Sequence, residues 1–357
     1  MKTIVFLPLF LLTFWLHAQQ DSYAHYSGKL GSEMLVNANI QVQNNKLFGT
    51  YYYQMLSEGK VLNESPLVLL KGELLNAKYS FRERDDMSSF FEGLLDKESK
   101  VLSGNWNFAG RKVAFHWKEE YDNQRTPLSK MELKREKRLS KEANNPKAIF
   151  DAVIYHPPKS KGNLYQAYIA FIKRTLKLKT SQSDLFTLLA TYKDDFFDTY
   201  YENNIGKYSN GTRNGLSWKQ KIRTQIYFND KNILAMLFTK EVNTGGSVQL
   251  KINYTVNFDI ASGNEINYST LFVDSYQTLL KQKIEDKLRD DFQVEKEQAF
   301  TEIGFLTDDI PLATNYLLTN NGILFIYNVY ELAGNDFGKI EIFLSYQELN
   351  PLLRKKQ

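Results

Sequence analysis

The side chains that could do chemistry are few and scattered. Beyond residue 20 the chain has three histidines, His25, His116 and His156, none spaced to share a metal ion, and it has no cysteine. A thiol nucleophile, a cysteine-ligated metal and a disulfide framework are therefore excluded. No Gly-x-Ser-x-Gly elbow, phosphate loop, dinucleotide fingerprint or H-E-x-x-H helix occurs. What remains is carboxylate chemistry. Adjacent acids stand at Asp85-Asp86, Asp194-Asp195, Asp290-Asp291 and Asp308-Asp309. Neighbours on a strand point to opposite faces and on a helix diverge, so none of these is a ready acid–base dyad. A glycosidase would need two carboxyls from distant positions, about 5–10 Å apart across a cleft. Asp194, Asp195 and Asp198 lack the alternating ligand loop of a calcium site. His116, between Phe115 and Trp117, reads as an outward-facing strand residue, and His156, before Pro157-Pro158, as a strand end. The residues themselves nominate no catalytic group, cofactor or metal ligand.

The elements that would have to position any site fall into four segments. Residues 1–18 read as a secretory signal peptide, with Lys2, an apolar run over 4–16 and the small Ala18. That run is shorter than the roughly 20 residues of a membrane-spanning helix, and no later stretch is long and apolar enough, so no transmembrane anchor is expected. Residues 19–128 read as a β-rich N-terminal domain. Short strands are predicted at Met34–Val42, Leu47–Tyr53, Leu67–Leu70, Lys78–Glu83, Ser89–Leu95, Val101–Phe108 and Lys112–Lys118, separated by turns. Glycines recur inside aromatic strands, at Gly49, Gly93 and Gly104, which marks bends or close backbone approaches. Residues 129–147 read as a charged linker or strand end; Ser129 to Glu142 carries six basic and three acidic residues.

Residues 148–357 read as a second domain. Helices are predicted over 163–178, from an N-cap at Ser183 through Phe196, and over 269–292. Strands are predicted over 149–155, 217–228, 233–242, 248–259, 322–330 and 338–344, and a short helix over 347–353. The expected fold class is α+β: an N-terminal antiparallel all-β domain, then an α+β domain whose antiparallel sheet is packed by helices. Lys and Arg total 45 against 41 Asp and Glu, intermixed, so nucleic acid is not an expected partner. The 22 Tyr and 24 Phe suit strand packing, or a surface on which sugars stack.

Three stretches of the second domain resemble the extracellular domain shared by RsiV-type anti-sigma factors and certain polysaccharide-deacetylase proteins. They are Thr244-Gly245-Gly246-Ser247 with Tyr254–Asp259, Ser262-Gly263 and Leu271-Phe272; the amphipathic Tyr276–Leu288; and Asn321–Ala333 with Gly338–Leu349. The family's Ala-His after the glycine pair is Ser247-Val248 here, and its YEIAPY is Tyr330-Glu331-Leu332-Ala333-Gly334-Asn335. The resemblance implies the fold, an extracytoplasmic (periplasmic or extracellular) location, and recognition of an envelope glycan or a secreted protein such as lysozyme. It makes Gly245, Gly246, Tyr330 and Glu331 the candidate ligand-binding residues. With no deacetylase domain, the expectation is a non-catalytic binding or sensing protein of the cell envelope. The alternative is a hydrolase of envelope polysaccharide using a distant carboxylate pair.

Overall fold

The computed structural model describes residues 22–84, 86, 88–141, 145–212, 214–246 and 249–354; the expected signal peptide lies outside them. Strands β1 (Ser22–Leu30), β2 (Met34–Gln43), β3 (Lys46–Ser57), β4 (Lys60–Glu64), β5 (Val68–Leu75), β6 (Lys78–Glu83), β7 (Phe90–Asp96), β8 (Val101–Phe108) and β9 (Arg111–Glu119) form one antiparallel sheet. Because β1 pairs with both β2 and β9, and β2 with β3, eight strands close into a barrel and β4 extends from β3. Closure removes the exposed sheet edges. An eight-stranded barrel can be filled by side chains alone, and Tyr26, Tyr51, Phe81, Phe91, Phe115 and Trp117 help to fill this one. Strands this tightly coiled leave no room for some side chains. At Gly104 a β-carbon would stand 1.9 Å from the Glu92 carbonyl oxygen, which is why a glycine interrupts that aromatic strand.

The second sheet runs in chain order: β10 (Ser129–Arg138), β11 (Lys147–His156), β12 (Trp218–Asp230), β13 (Ile233–Asn243) and β14 (Leu250–Asp259). Ten residues of the stretch expected as a linker or strand end are thus the edge strand of this sheet, paired along their length with β11. An edge strand keeps one side in water and tolerates that density of charge. All its pairings are antiparallel except β11–β12, which is parallel. A parallel pair needs a long crossover; α1 (Asn163–Leu176) and α2 (Leu185–Ser209) supply it and bury Ile169, Ile172, Leu188 and Leu189 against one sheet face. The α2 N-cap is Asp184, one residue after the expected Ser183; its carboxylate accepts from the Thr187 N–H at 3.1 Å.

The helix expected over 269–292 is broken. α3 (Tyr268–Leu271) stops at Phe272, whose extended backbone bridges to Leu353, and α4 (Tyr276–Phe292) starts afresh. Phe272 is fully buried, so its tertiary pairing outweighs helical periodicity. Three short strands follow, β15 (Asn315–Leu318), β16 (Gly322–Tyr327) and β17 (Ile340–Ser345), with α5 (Tyr346–Leu349) at the end. Leu280, Ile284 and Leu288 of α4 pack on this third sheet. The strand expected over 322–330 ends at Tyr327, because Tyr330 has φ 71° in a turn.

The three sheets meet at one buried junction, where Tyr52 and Leu69 of the barrel, Phe228 and Leu237 of the second sheet and Leu317 and Ile326 of the third pack together. Polar bridges surround it. Gln41 on β2 accepts from the Ile226 N–H (2.7 Å) and donates to the Thr224 carbonyl (3.1 Å), and Thr50 donates to the Tyr227 carbonyl at 2.7 Å. Asp230, 2% exposed, accepts from the Tyr52 hydroxyl and from Arg125 Nε at 2.8 Å. Lys231 and Asn320 both donate to Glu64, and Arg84 donates to Glu341 at 2.8 Å.

Two predictions follow from this packing. Gly104→Ala should destabilise the protein by more than about 2 kcal/mol, through overpacking against fixed backbone; an unchanged urea midpoint would contradict the close approach. Burial alone would raise Glu64 and Glu341, but donors on Lys231, Gln54 and Asn320, and the charges of Lys339 and Arg84, hold both below the usual carboxylate range. Burial pushes His25 and His156 below the usual imidazole range. In all four cases the unfolded chain takes up the proton first, at about pH 6.5 for His and about 4.3 for Glu. Their stability is therefore present above those values and lost as pH falls. The urea midpoint should drop between about pH 7 and 5.5, with a shallower drop in His25→Gln; a flat profile would contradict the buried neutral histidines.

Candidate functional site

β14 is the last strand of its sheet, and among the described residues its outer edge meets backbone only near its end, through the Phe258–Glu265 bridge and the Ile266 N–H that donates to the Asn257 carbonyl at 2.7 Å. Side chains close the rest. Asn328, in the turn after β16, is the hub. Its Oδ1 accepts from the Asn253 N–H (2.7 Å) and Nδ2 (3.0 Å), and its Nδ2 donates to the Asn253 carbonyl at 3.1 Å. Asn315 Oδ1 accepts from the Thr255 N–H at 3.1 Å. In return, Thr255 Oγ1 accepts from the Tyr316 N–H at 2.8 Å. Asn257 accepts from the Leu318 N–H (2.8 Å) and donates to the Tyr316 carbonyl (2.9 Å). Asn253, Thr255 and Asn257 are alternate residues and so share one strand face.

Beside this seam lies a cleft of about 750 Å³. Its walls are the end of α1, residues 252–257 of β14, residues 265–269, residues 312–316, and Asn328 with Glu331. Arg174 on α1 donates from Nη2 to both Glu265 oxygens, at 2.8 and 3.0 Å. Tyr268 and Tyr316 stack with ring centroids 4.5 Å apart and planes 14° apart. Their hydroxyls donate to the Ala313 and Ile266 carbonyls, at 2.7 and 2.8 Å. Burial pushes both phenols well above their ordinary range, so they stay neutral donors. The carboxylates among the lining residues are Glu265 and Glu331. Glu265 is engaged by Arg174. Glu331 accepts from the Asn328 N–H (2.9 Å) and Nδ2 (3.1 Å). The cleft is thus lined by amides fixed in the seam, one ion pair and an aromatic stack, with the Arg174 side chain, 59% exposed, at its rim.

The four candidate residues do not converge. Glu331 lines the cleft and holds Asn328 in place, which makes it a positioning residue for the β14 edge. Tyr330 is 59% exposed and is not among the lining residues. Gly245 and Gly246 lie in the β13–β14 hairpin, away from the cleft walls; a β-carbon on Gly245 would stand 1.6 Å from the Gly215 carbonyl oxygen. Sequence reasoning passed over Asn253, Asn315, Asn328, Arg174, Glu265 and Tyr268. A period-2 polar stripe at Asn253, Thr255 and Asn257, inside a strand otherwise facing the core, was the available signal.

Asn328→Ala would leave the Asn253 N–H and carbonyl without partners at a buried position. The expected cost is about 2–3 kcal/mol, read from urea denaturation. The exposed Tyr330→Ser should stay within about 0.5 kcal/mol of the parent. Equal effects would contradict the hub role of Asn328.

Comparison with known proteins agrees with this architecture. Residues 269–347, which hold α4 and the third sheet, match the profile of a family described as a protein of unknown function, DUF3298. No curated protein matches the chain. A solved structure of a DUF3298-family member from Bacteroides fragilis is similar at a TM-score of 0.59 and 18% identity, over 66% of this chain and 96% of that one. Another from Pseudomonas aeruginosa aligns at a TM-score of 0.48 and 15% identity, over 65% of this chain and 96% of that one. At 18% identity the likeness to the Bacteroides fragilis structure speaks for the fold alone. The C-terminal region of this chain therefore carries a DUF3298 domain.

Proposed function

We propose that the chain is an exported binding module of the cell envelope, and that its cleft beside the β14 edge holds an envelope glycan. The observation that carries this reading is the composition of the cleft. A stacked tyrosine pair lies next to immobilised amides and the Arg174–Glu265 pair, a combination suited to a polyhydroxylated ring, with an apolar face for stacking and hydroxyls for the polar groups. The signal-peptide pattern over residues 1–18 and the resemblance to extracytoplasmic domains of RsiV-type anti-sigma factors support the location. No helix among the described residues is long and apolar enough to cross a membrane.

Immobilised peptidoglycan, surface polysaccharide and lysozyme separate the readings. The protein should be retained on one of the glycans. Arg174→Ala, whose side chain is 59% exposed, should cut retention at least about tenfold, a loss of about 1.4 kcal/mol, with the fold unchanged. Retention on none of the three, or retention untouched by Arg174→Ala, would contradict the assignment; retention on lysozyme alone would replace the glycan with a protein partner. Glu265 and Glu331 sharing one cleft is the observation that favours the hydrolase alternative. Release of soluble fragments, abolished by Glu331→Gln, would turn binding into catalysis.

A further inference from the structure

A separate open pocket of about 340 Å³ lies between the C-terminal end of α1, the middle of α2 and strands β12 and β13. That is near the lower end of the range for small-molecule sites, about 300 Å³. Tyr192 and Trp218 are its aromatic walls, and Gln220, Lys240, Lys177 and Asp195 are among its polar lining. Gln220 is 4% exposed, yet its Nε2 has no hydrogen-bond partner among the described residues. A buried donor left without an acceptor is costly, so a native protein that keeps one invites the question of what accepts from it. Lys240 Nζ stands 3.2 Å from the Tyr192 hydroxyl and 5.8 Å from its ring centroid, with no carboxylate partner among the described residues. The lining therefore holds two lysines and an unused amide donor against one carboxylate, the exposed Asp195.

We infer that this cavity binds a small ring-bearing carboxylate. One ligand oxygen accepts from Gln220 Nε2, the charge is met by Lys240, and the ring lies against Trp218 and Tyr192. A charged acceptor makes the stronger hydrogen bond, and an aromatic wall favours a flat or C–H-faced ring. The site is independent of the glycan cleft, since the two share no lining residue. It also gives the Gly245 turn a place in the molecule, because the adjacent Thr244 lines the cavity.

Isothermal titration of the full chain with benzoate, glucuronate and glucose tests this. At least one carboxylate should bind more tightly than about 1 mM, and glucose at least tenfold more weakly. Preference between benzoate and glucuronate tells an aromatic acid from a uronic acid. Gln220→Leu and Lys240→Gln should each weaken binding at least tenfold, whereas Arg174→Ala should leave it unchanged. Because Gln220→Leu removes an unpartnered donor, it should not lower the thermal midpoint of the ligand-free protein. Three results would overturn the site: no binding of either carboxylate, binding intact in Gln220→Leu, or a lowered midpoint in that variant, which would make the amide structural.

Discussion

Where one sheet stops against another, its backbone must still find hydrogen-bond partners, and an N–H or carbonyl buried without one costs about 1–3 kcal/mol. This protein meets that requirement with short polar side chains. Gln41 takes the place of a neighbouring strand for Thr224 and Ile226 of β12. Asn229 accepts from the Thr126 N–H and donates to its carbonyl, tying the segment after the barrel to the second sheet. Asn328, Asn315 and Asn257 do the same between the second sheet and the third. Each bridge demands a particular register, so the set fixes how the sheets meet, while apolar burial at the junction supplies the bulk of the driving force.

The cleft is a by-product of that solution. Paired strands would lie about 4.8 Å apart and leave no space. A bridge through asparagine side chains is longer than a direct backbone pair, so β15 stands off from β14 and a groove opens along the seam. Its walls inherit the polar groups that built the seam, with Arg174 and Glu265 tying α1 to the far side. Site and scaffold therefore share residues: Glu331 faces the cleft and at the same time positions Asn328.

Much of the fold was legible because it rests on local rules. Seven strands of the first sheet followed from alternation and turn residues, though β1, which closes the barrel, and β4 did not; the glycines inside aromatic strands marked close approaches such as that of Gly104. The first helix of the second domain matched its 3.6-residue periodicity, ending at Leu176. What escaped depended on tertiary context. The charge of Ser129–Arg138 left linker and strand end both open, and only its edge position in the second sheet decides for the strand. Phe272 interrupts a helical pattern through a partner eighty-one residues away, Leu353. β15, four residues long, carries no periodic signal. The cleft was the least legible feature, because its asparagines look like ordinary strand and turn residues; the family-derived candidates led to Glu331 but to none of its neighbours.

Amide hydrogen exchange tests most directly whether side chains close these sheet edges. The N–H groups of Asn253, Thr255, Leu318 and Ile226 have side-chain acceptors and no strand partner across the bridge. They should exchange only through global unfolding, at the same free energy as amides in the middle of β12 and β13. Exchange at the rate of frayed, solvent-exposed strand edges would show that the bridges do not hold the three sheets together.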